Sequence, residues 1–424
     1  MARLGGRPPR EPNDETMNNE TWRVRPLAEG TVTSPRGFRA GGIHAGIKTA
    51  PERPLDLGIL VSDRPCQATA RFTTNRFQGA ALAVNRARLA AGPIQAIVAN
   101  SGCSNTATGE RGLADALEMA QCAAAYLGLP SEAVLVASTG LIGSFLPMAA
   151  VRPAIGTISP STEGGHDFAR AILTTDTVTK EAALIVQGAE GTFTIGGAAK
   201  GSGMIHPSMA TMFCFLTTDA PVSPPFLRAS LAAAVDLSFN MVTVDGDTSP
   251  DDMVVILANG TASIPDIDEG SPAGPAFRAA LDTICVDLAR AIARDAEGAT
   301  KLITVVVDGA CSTADARLMA RTIASSPLVK TAVHGGDPNW GRVLAAAGRS
   351  GAELDPDRID LDIAGHRLFE HGSPRPYDAT SVSSAMAAAE IEIRLDLHLG
   401  TERAIAWGCD LSEEYVRFNA DYTT

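Results

Sequence analysis

The chain has 424 residues, of which 45% are hydrophobic and 20% charged, and its formal net charge at pH 7 is −13. This length supports two or three hydrophobic cores or one large layered body, and the composition is that of a folded globular protein rather than a disordered one. The acidic balance argues against a nucleic-acid partner and against binding to an anionic membrane, because both require a basic face.

The first residues show none of the features of a secretory signal. Residues 1–24 have no apolar core, and acidic residues interrupt their arginines. No apolar run in the chain approaches the ~18 residues of a membrane span. The seven cysteines are scattered without a CxxC pair, which indicates reduced thiols. We therefore expect a flexible leader over residues 1–25, a cytoplasmic location and no membrane association.

Strand and helix patterns alternate along the rest of the chain. Apolar runs predict strands and apolar residues at helical spacing predict helices. The predicted strands are 94–102, 132–140, 253–260 and 301–309, and the predicted helices are 112–130, 223–239, 275–298 and 312–326. Towards the end, residues 358–369 and 389–400 alternate apolar and polar residues, as strands with one solvated face do. The patterns therefore predict a mixed α/β protein.

No motif for a metal or a nucleotide is evident. The histidines are dispersed, and the closest pair, His366 and His371, has no HExxH spacing. The run "GGIHAGIKT" is close to a phosphate-binding P-loop, but Ile47 separates Gly46 from Lys48, which that motif requires to be adjacent. We expect neither a bound metal nor a bound nucleotide.

The run "KGSGMIHPSMATM" near the middle of the chain points to chemistry of a different kind. Its glycines and Pro207 would weaken an ordinary strand or helix. The hydroxyl of Thr211 is a weak nucleophile unless a base lies beside it. Cleavage of the preceding bond would supply that base as the α-amine of Thr211, whose pKa of about 7.7 to 8.0 suits a general base. From local composition, a buried strand edge with packed methionines is the alternative.

The ordered motifs of the chain resemble those of the ornithine acetyltransferase (glutamate N-acetyltransferase) family, from about residue 35 to residue 424. In that family the central run is cut between Ala and Thr, which corresponds to Ala210 and Thr211 here. The resemblance implies a layered αββα sandwich. The motifs that carry it are "PRGFRAGGIHAGIK", "FTTN", "ASTGLIG", "TTDT", "KGSGMIHPSMATM", "DGDTS", "EGATK", "SPLVKTA", "GDPNWGRVLAA" and "NADYTT".

The resemblance also implies roles for individual residues. Thr211 resembles the nucleophile, which becomes a new N-terminus, while Thr139 and Gly140 resemble an oxyanion hole. Lys200 suits a substrate carboxylate and Glu297 a substrate ammonium. The full set of implied substrate-binding residues is Thr177, Lys200, Thr211, Glu297, Asn419 and Thr424.

The implied reaction is transfer of the acetyl group of N-acetylornithine to glutamate through an acetyl-threonine intermediate. It needs neither a metal nor a bound cofactor, although acetyl-CoA stays open as a second acyl donor. Cleavage would give an α chain of residues 26–210, after the leader, and a β chain of residues 211–424. The resemblance implies small amino acids as substrates and an α₂β₂ heterotetramer.

Three alternatives remain at this point. Water could replace glutamate as the acceptor, which would make the protein an amidase or aminopeptidase of related fold. Departures from the family pattern, such as "ANSGCSNTATG" and Ser208, leave open a relative that acts on a different amino acid. The third alternative is a binding protein without catalytic activity.

Overall fold

The computed structural model describes residues 16–18, 22–49, 52, 54–206 and 212–421. The strands are β1 Thr16–Asn18, β2 Trp22–Pro26, β3 Phe38–Ile43, β4 Leu57–Phe72, β5 Ile94–Cys103, β6 Val134–Leu141, β7 Lys180–Gly188, β8 Gly191–Lys200, β9 Phe213–Thr218, β10 Met253–Ala258, β11 Leu302–Ala310, β12 Asp360–Ile363, β13 His366–Glu370, β14 Ser373–Pro374, β15 Glu390–Asp396 and β16 Glu402–Cys409. The α-helices are α1 Ala80–Ala91, α2 Gly109–Leu127, α3 Met148–Ile155, α4 Gly165–Ala171, α5 Pro224–Leu237, α6 Gly274–Arg294, α7 Thr313–Ala324, α8 Pro327–His334, α9 Trp340–Gly348, α10 Ala379–Ala385 and α11 Glu413–Asp421.

A ten-stranded sheet forms the larger part of the molecule. Its strand order is β1-β2-β7-β8-β9-β10-β4-β5-β6, and β3 pairs with the first half of β4 on the edge opposite β5. The 16-residue strand β4 belongs to both halves of this sheet. Its first half pairs with β5, and residues 67–72 pair with β10. Strand β9 runs parallel to β10 and antiparallel to β8, so the strands on either side of the "KGSGMIHPSMATM" run are neighbours.

Two hydrophobic clusters cover the two faces of β9 and β10, because successive side chains of a strand point to opposite faces. Met253 and Val255 belong to a cluster with β3 to β6, α1 and α2, whereas Val254 and Ile256 belong to a cluster with α5 and α6. Helices and sheet therefore stack in layers. The mixed α/β class and the layered architecture expected from the sequence are confirmed.

A six-stranded sheet of order β14-β13-β12-β15-β11-β16 forms the second part. Helix α6 lies against β7 and β8 of the large sheet and against β16 of the small one. Its buried residues include Phe277, Leu281, Ile284 and Leu288, which recur at helical spacing, and its proline lies in the first turn, where no donor is lost. One amphipathic helix thus packs against both sheets, within a single hydrophobic cluster.

The structure differs from the sequence predictions at two places. Residues 16–18 and 22–26 form strands, and Trp22 is only 3% exposed because its ring packs near Phe193. The other residues of the expected leader, 1–15 and 19–21, lie outside the described residues. Residues 358–369 hold two strands of a hairpin, β12 and β13, because Ala364 and Gly365 turn the chain with positive φ angles. Among the described residues, no helix has the length and apolarity to cross a membrane.

Candidate active site

Thr139 and Gly140 lie at the carboxyl end of β6, where it runs beside β5. Gly140 pairs with Gly102 and has a φ of +129°. A Cβ atom at residue 140 would lie 2.4 Å from the carbonyl carbon of Gly102, so only glycine fits there. Thr139 is 1% exposed. The end of β6 therefore holds a threonine hydroxyl and a glycine backbone in one place, as the predicted oxyanion hole requires.

Lys200 joins this strand end from β8. It is 1% exposed, and its ammonium donates a hydrogen bond to Thr139 Oγ1 at 3.4 Å. Burial lowers the pKa of Lys200, and the nearby Lys180 lowers it further, while Asp176 opposes both. Lys200 is thus a buried cation beside the candidate oxyanion hole, whereas most lysines are solvated surface charges.

Asp176 is the main counterion of this region. Its Oδ1 accepts hydrogen bonds from Lys180 Nζ at 2.6 Å and from the backbone N–H of Gly201 at 2.7 Å. Burial by itself raises the pKa of Asp176, but Lys200, Lys180 and the hydrogen bonds outweigh it and lower the pKa to about 2. The carboxylate is therefore charged and holds the backbone directly after Lys200.

Thr177 reaches the same network through Asp295. The Thr177 N–H donates to Asp295 Oδ2 at 3.0 Å, and its hydroxyl donates to Asp295 Oδ1. Lys180 Nζ also donates to Asp295, at 2.6 Å. The predicted residue Thr177 is exposed, and its hydroxyl is committed to a carboxylate from the end of α6.

Glu297 and Asn419 meet directly. Asn419 Nδ2 donates to Glu297 Oε2 at 3.0 Å, and Thr175 Oγ1 donates to Glu297 Oε1 at 2.7 Å. A Cβ atom on Gly203 would lie 2.4 Å from the Glu297 carboxylate, so glycine at 203 makes room for this acid. The Thr175 hydroxyl also contacts Ser202 Oγ at 2.6 Å. Glu297 therefore lies against the segment that leads to the predicted cleavage site.

A cavity of about 840 Å³ opens beside these groups. Gly140, Thr175 and Asp176 line it, together with Lys48 and Arg170. The Lys48 ammonium donates to two backbone carbonyls, Leu55 O at 3.1 Å and Leu173 O at 2.6 Å. Burial lowers the pKa of Lys48 to about 8. The cavity is large enough for an amino-acid substrate, and a second cation borders it.

The predicted cleavage site, Ala210 and Thr211, and the terminal Thr424 lie outside the described residues. The residues on either side are anchored by carboxyl groups. Asp245 accepts hydrogen bonds from the N–H groups of Met204 at 2.6 Å and Ile205 at 3.0 Å. On the far side, Asp252 Oδ1 accepts a hydrogen bond from the N–H of Met212 at 2.7 Å.

The structure thus unites Thr139 with Lys200 and Glu297 with Asn419. It connects Thr177 through Asp295, Lys180 and Asp176 to the backbone N–H of Gly201, which follows Lys200. Sequence reasoning missed several side chains of the surrounding hydrogen-bond network: Thr175, Asp176, Lys180, Ser202 and Asp295. It also missed Asp252, which holds the N–H of Met212. Thr175 and Asp176 lie in the run "TTDT". That run is one of the motifs that carry the family resemblance, but it does not indicate which of its side chains face the site. Asp252 follows "DGDTS", and its partner Met212 is 40 residues away in the chain.

One group of metal-ligand side chains lies elsewhere among the described residues. Asp360, His371 and His398 bring their ligand atoms within 4.8 Å of one another on the small sheet. The Asp360 carboxylate already accepts hydrogen bonds from Arg367 at 2.8 Å and from His398 at 3.0 Å. The sequence alone does not indicate this cluster, because 26 residues lie between His371 and His398.

Comparison with known proteins gives consistent matches. Residues 39–424 match the model of the ArgJ family. The "Arginine biosynthesis bifunctional protein ArgJ" of Dehalococcoides mccartyi is 51% identical over 398 residues, which are 94% of this chain and 98% of that protein. The crystal structure of the protein of that name from Bacillus halodurans is 41% identical and covers 50% of this chain and 98% of its own, with a TM-score of 0.48. The crystal structure of an ornithine acetyltransferase with ornithine from Mycobacterium tuberculosis is 36% identical. It covers 44% of this chain and 98% of its own, with a TM-score of 0.41.

Proposed function

The chain belongs to the ArgJ family and is an acyltransferase of arginine biosynthesis, and on this premise we propose that it transfers an acetyl group from N-acetylornithine to glutamate. The membership confirms the family resemblance drawn from the motifs. The observation that carries the proposal is the hydrogen bond from Lys200 to Thr139 Oγ1. This bond places the ammonium of Lys200, which suits a substrate carboxylate, next to the hydroxyl of Thr139, which suits an oxyanion.

We propose that self-cleavage comes first. The hydroxyl of Thr211 attacks the carbonyl carbon of Ala210, the C–N bond breaks, and the hydroxyl proton passes to the amine nitrogen. Water then hydrolyses the resulting ester, which leaves a carboxylate on Ala210 and a free α-amine and hydroxyl on Thr211. The carboxyl groups of Asp245 and Asp252 support this step, because they hold the chain on both sides of the bond.

In the transfer that follows, the Thr211 hydroxyl attacks the acetyl carbonyl of N-acetylornithine and gives its proton to the α-amine of Thr211. The amine passes that proton to the leaving nitrogen of ornithine, and an acetyl ester remains on Thr211. The α-amine of glutamate then attacks this ester, and the hydroxyl is restored. Thr139 Oγ1 and the Gly140 N–H would stabilise the oxyanion in both halves of the reaction.

Substrate recognition follows from the charges around the site. Lys200 would bind the α-carboxylate that donor and acceptor share, and Glu297 with Asn419 would bind a nitrogen-bearing side chain or amine. The cavity beside Gly140 gives the substrates access. The relative's printed name calls it bifunctional, and use of acetyl-CoA as a second acyl donor belongs to the same proposal. We further propose that the two halves assemble as α₂β₂.

Intact mass spectrometry and an acetyl-transfer assay test the proposal together. The wild-type chain should give two fragments, the second beginning Thr-Met-Phe-Cys, while Thr211→Ala should stay whole at 43.9 kDa and Thr211→Ser should still cleave. Ornithine release from N-acetylornithine beyond the first equivalent per active site should require glutamate. Release at the same rate without glutamate would mean an amidase, and an uncut wild-type chain with full activity would contradict the mechanism.

A further inference from the structure

A cluster of metal-ligand side chains lies on the small sheet, outside the candidate active site. We infer that Asp360, His371 and His398 bind one divalent transition-metal ion, such as Zn²⁺, through two imidazole nitrogens and a carboxylate oxygen. Their ligand atoms lie within 4.8 Å of one another. The spacing of the histidines along the chain predicted no bound metal, because distance along the chain does not show which residues strand pairing brings together.

Strand pairing explains why the three residues meet. Strands β12 and β15 run antiparallel with Asp360 opposite Asp396, so the start of β12 adjoins the end of β15. His398 follows β15 by two positions, and His371 follows β13, the hairpin partner of β12, by one. The ends of three neighbouring strands therefore carry the three ligands.

The cluster is separate from the proposed substrate site. Asp396 pairs with Asp308 at one end of the parallel strands β11 and β15, while Glu297 lies five residues before Leu302, at the other end of β11. Six residues of strand correspond to about 20 Å. A metal ion at the cluster therefore takes no part in the proposed acetyl transfer.

The ligand atoms need only small movements to surround an ion. His398 Nε2 lies 3.0 Å from Asp360 Oδ2, and His371 Nδ1 lies 3.8 Å from Asp360 Oδ1. Zn–N and Zn–O bonds of roughly 2.0–2.2 Å place tetrahedral ligand atoms about 3.3 Å apart. The imidazoles of His398 and His371 can rotate to this spacing because they are 38% and 76% exposed, whereas the side chain of Asp360 is 9% exposed. The exposed side leaves the fourth position to water.

Asp396 supports His398 as a ligand. Its Oδ1 lies 3.5 Å from His398 Nδ1 and accepts a hydrogen bond from the His398 backbone N–H at 3.0 Å. A carboxylate behind the second ring nitrogen is the usual partner of a metal-binding histidine, because it fixes the ring and directs the other nitrogen to the ion. In His398 that other nitrogen is Nε2, which faces Asp360.

The charge around the cluster favours a cation. Asp360 and Asp396 lie directly opposite each other on paired strands, where like charges are destabilising. Arg367 donates to Asp360 at 2.8 Å, but it makes two further hydrogen bonds to Asp362, at 2.7 Å and 3.0 Å. Because Asp362 balances the charge of Arg367, the charge of Asp360 and Asp396 is available to a metal ion. Protonated histidines that pair with Asp360 without a metal are the alternative.

His166 offers a matched control. Its Nδ1 lies 3.1 Å from Glu181 Oε2, and its side chain is 47% exposed. The pair resembles that of His398 and Asp360, but no third ligand side chain joins it among the described residues. Replacing His166 therefore removes an exposed histidine beside a carboxylate without touching the cluster.

The test is isothermal titration of Zn²⁺ into the full chain, freed of metal with EDTA and transferred to metal-free buffer. His371→Ala and His398→Ala should each bind this ion at least about 100-fold more weakly than wild type, because loss of a supporting group alone costs up to about 100-fold. Asp396→Asn should weaken binding about 10-fold. His166→Ala should bind as wild type does. Zn²⁺ should also raise the melting temperature of wild type more than that of His371→Ala.

The possible results are distinct. Equal Zn²⁺ binding by wild type, His371→Ala and His398→Ala would overturn the inference and leave the histidines as ion-pair partners of Asp360. Equal weakening in His166→Ala would overturn it too, because the ion would then bind scattered surface histidines. If His398→Ala does not fold, His371→Ala decides, since that side chain is exposed and its loss should not change the metal-free melting temperature. None of these measurements depends on self-cleavage or acetyl transfer, so the proposed function is tested separately.

Discussion

Asp176 and Asp252 are two buried carboxyl groups near the same cation, Lys200, yet their surroundings shift their pKa values in opposite directions. Asp176 accepts hydrogen bonds from Lys180 and from the N–H of Gly201, and its pKa falls to about 2. Among the described residues, Asp252 has no hydrogen bond or ion pair with a cationic side chain, and burial raises its pKa. Burial alone therefore does not set the charge of a carboxyl group. Nearby charges and hydrogen-bond donors decide it, and for Asp176 these are Lys200, Lys180 and the N–H of Gly201.

The largest expected effect comes from removing the charge of Asp176. Asp176→Asn leaves the buried ammonium groups of Lys180 and Lys200 with less counter-charge, so the free energy of unfolding should fall by about 3–5 kcal/mol. Urea unfolding at pH 7 measures it. Because the pKa of Asp176 is lowered, its stabilisation is present above its unfolded pKa of about 3.9 and is lost as the pH falls towards about 2. Asp176→Asn should lose this acid dependence. If the stability of Asp176→Asn fell at acid pH as steeply as that of wild type, Asp176 would not be the group that titrates.

The next effect concerns Asp251, which precedes Asp252 in the chain. Asp251 accepts a hydrogen bond from Thr106 Oγ1 at 2.5 Å, and burial raises its pKa to about 7. Between its unfolded pKa of about 3.9 and pH 7, the folded state binds the extra proton, so stability falls as the pH rises. Asp251→Asn should remove this fall and gain about 1–2 kcal/mol on wild type between pH 5 and pH 7. Thermal unfolding at pH 5, 6 and 7 checks it, and parallel pH curves for the two proteins would contradict it.

The smallest effect provides the baseline for Asp-to-Asn changes. Asp63 pairs with Arg39 at 2.9 Å, but the two side chains are 56% and 42% exposed. Solvent and salt screen such a pair, so Asp63→Asn should change the free energy of unfolding by less than about 1 kcal/mol. The same urea titration used for Asp176→Asn measures it. A loss as large as that of Asp176→Asn would mean that burial is not what separates the two sites.

Much of the fold could be predicted from the sequence, because its signals are local. The strand over residues 94–102 and the helix over residues 112–130 were predicted within a few residues of their ends. The N-terminal strands were missed. Strand β2 has only five residues, and it pairs with β7, more than 150 positions later in the chain.

The candidate site was predictable only in part. Motif resemblance identified Thr139, Gly140, Lys200, Glu297 and Asn419, and the structure brings them into two contacting groups. The motif resemblance did not identify Asp176 or Asp252. A lone aspartate in a polar run gives no sign of whether it lies on the surface or beneath a sheet.

By itself, the sequence determined the alternation of strands and helices, the glycines that turn the chain and the chemical types gathered at the cleavage motif, because each of these depends on residues a few positions apart. Only the tertiary structure decided which buried groups are charged and what they hold. Thr175 reaches Glu297 across 122 positions, and Asp252 reaches Met212 through the parallel pairing of β9 and β10. Burial and hydrogen-bond partners arise when distant elements pack, and these set the pKa of each group.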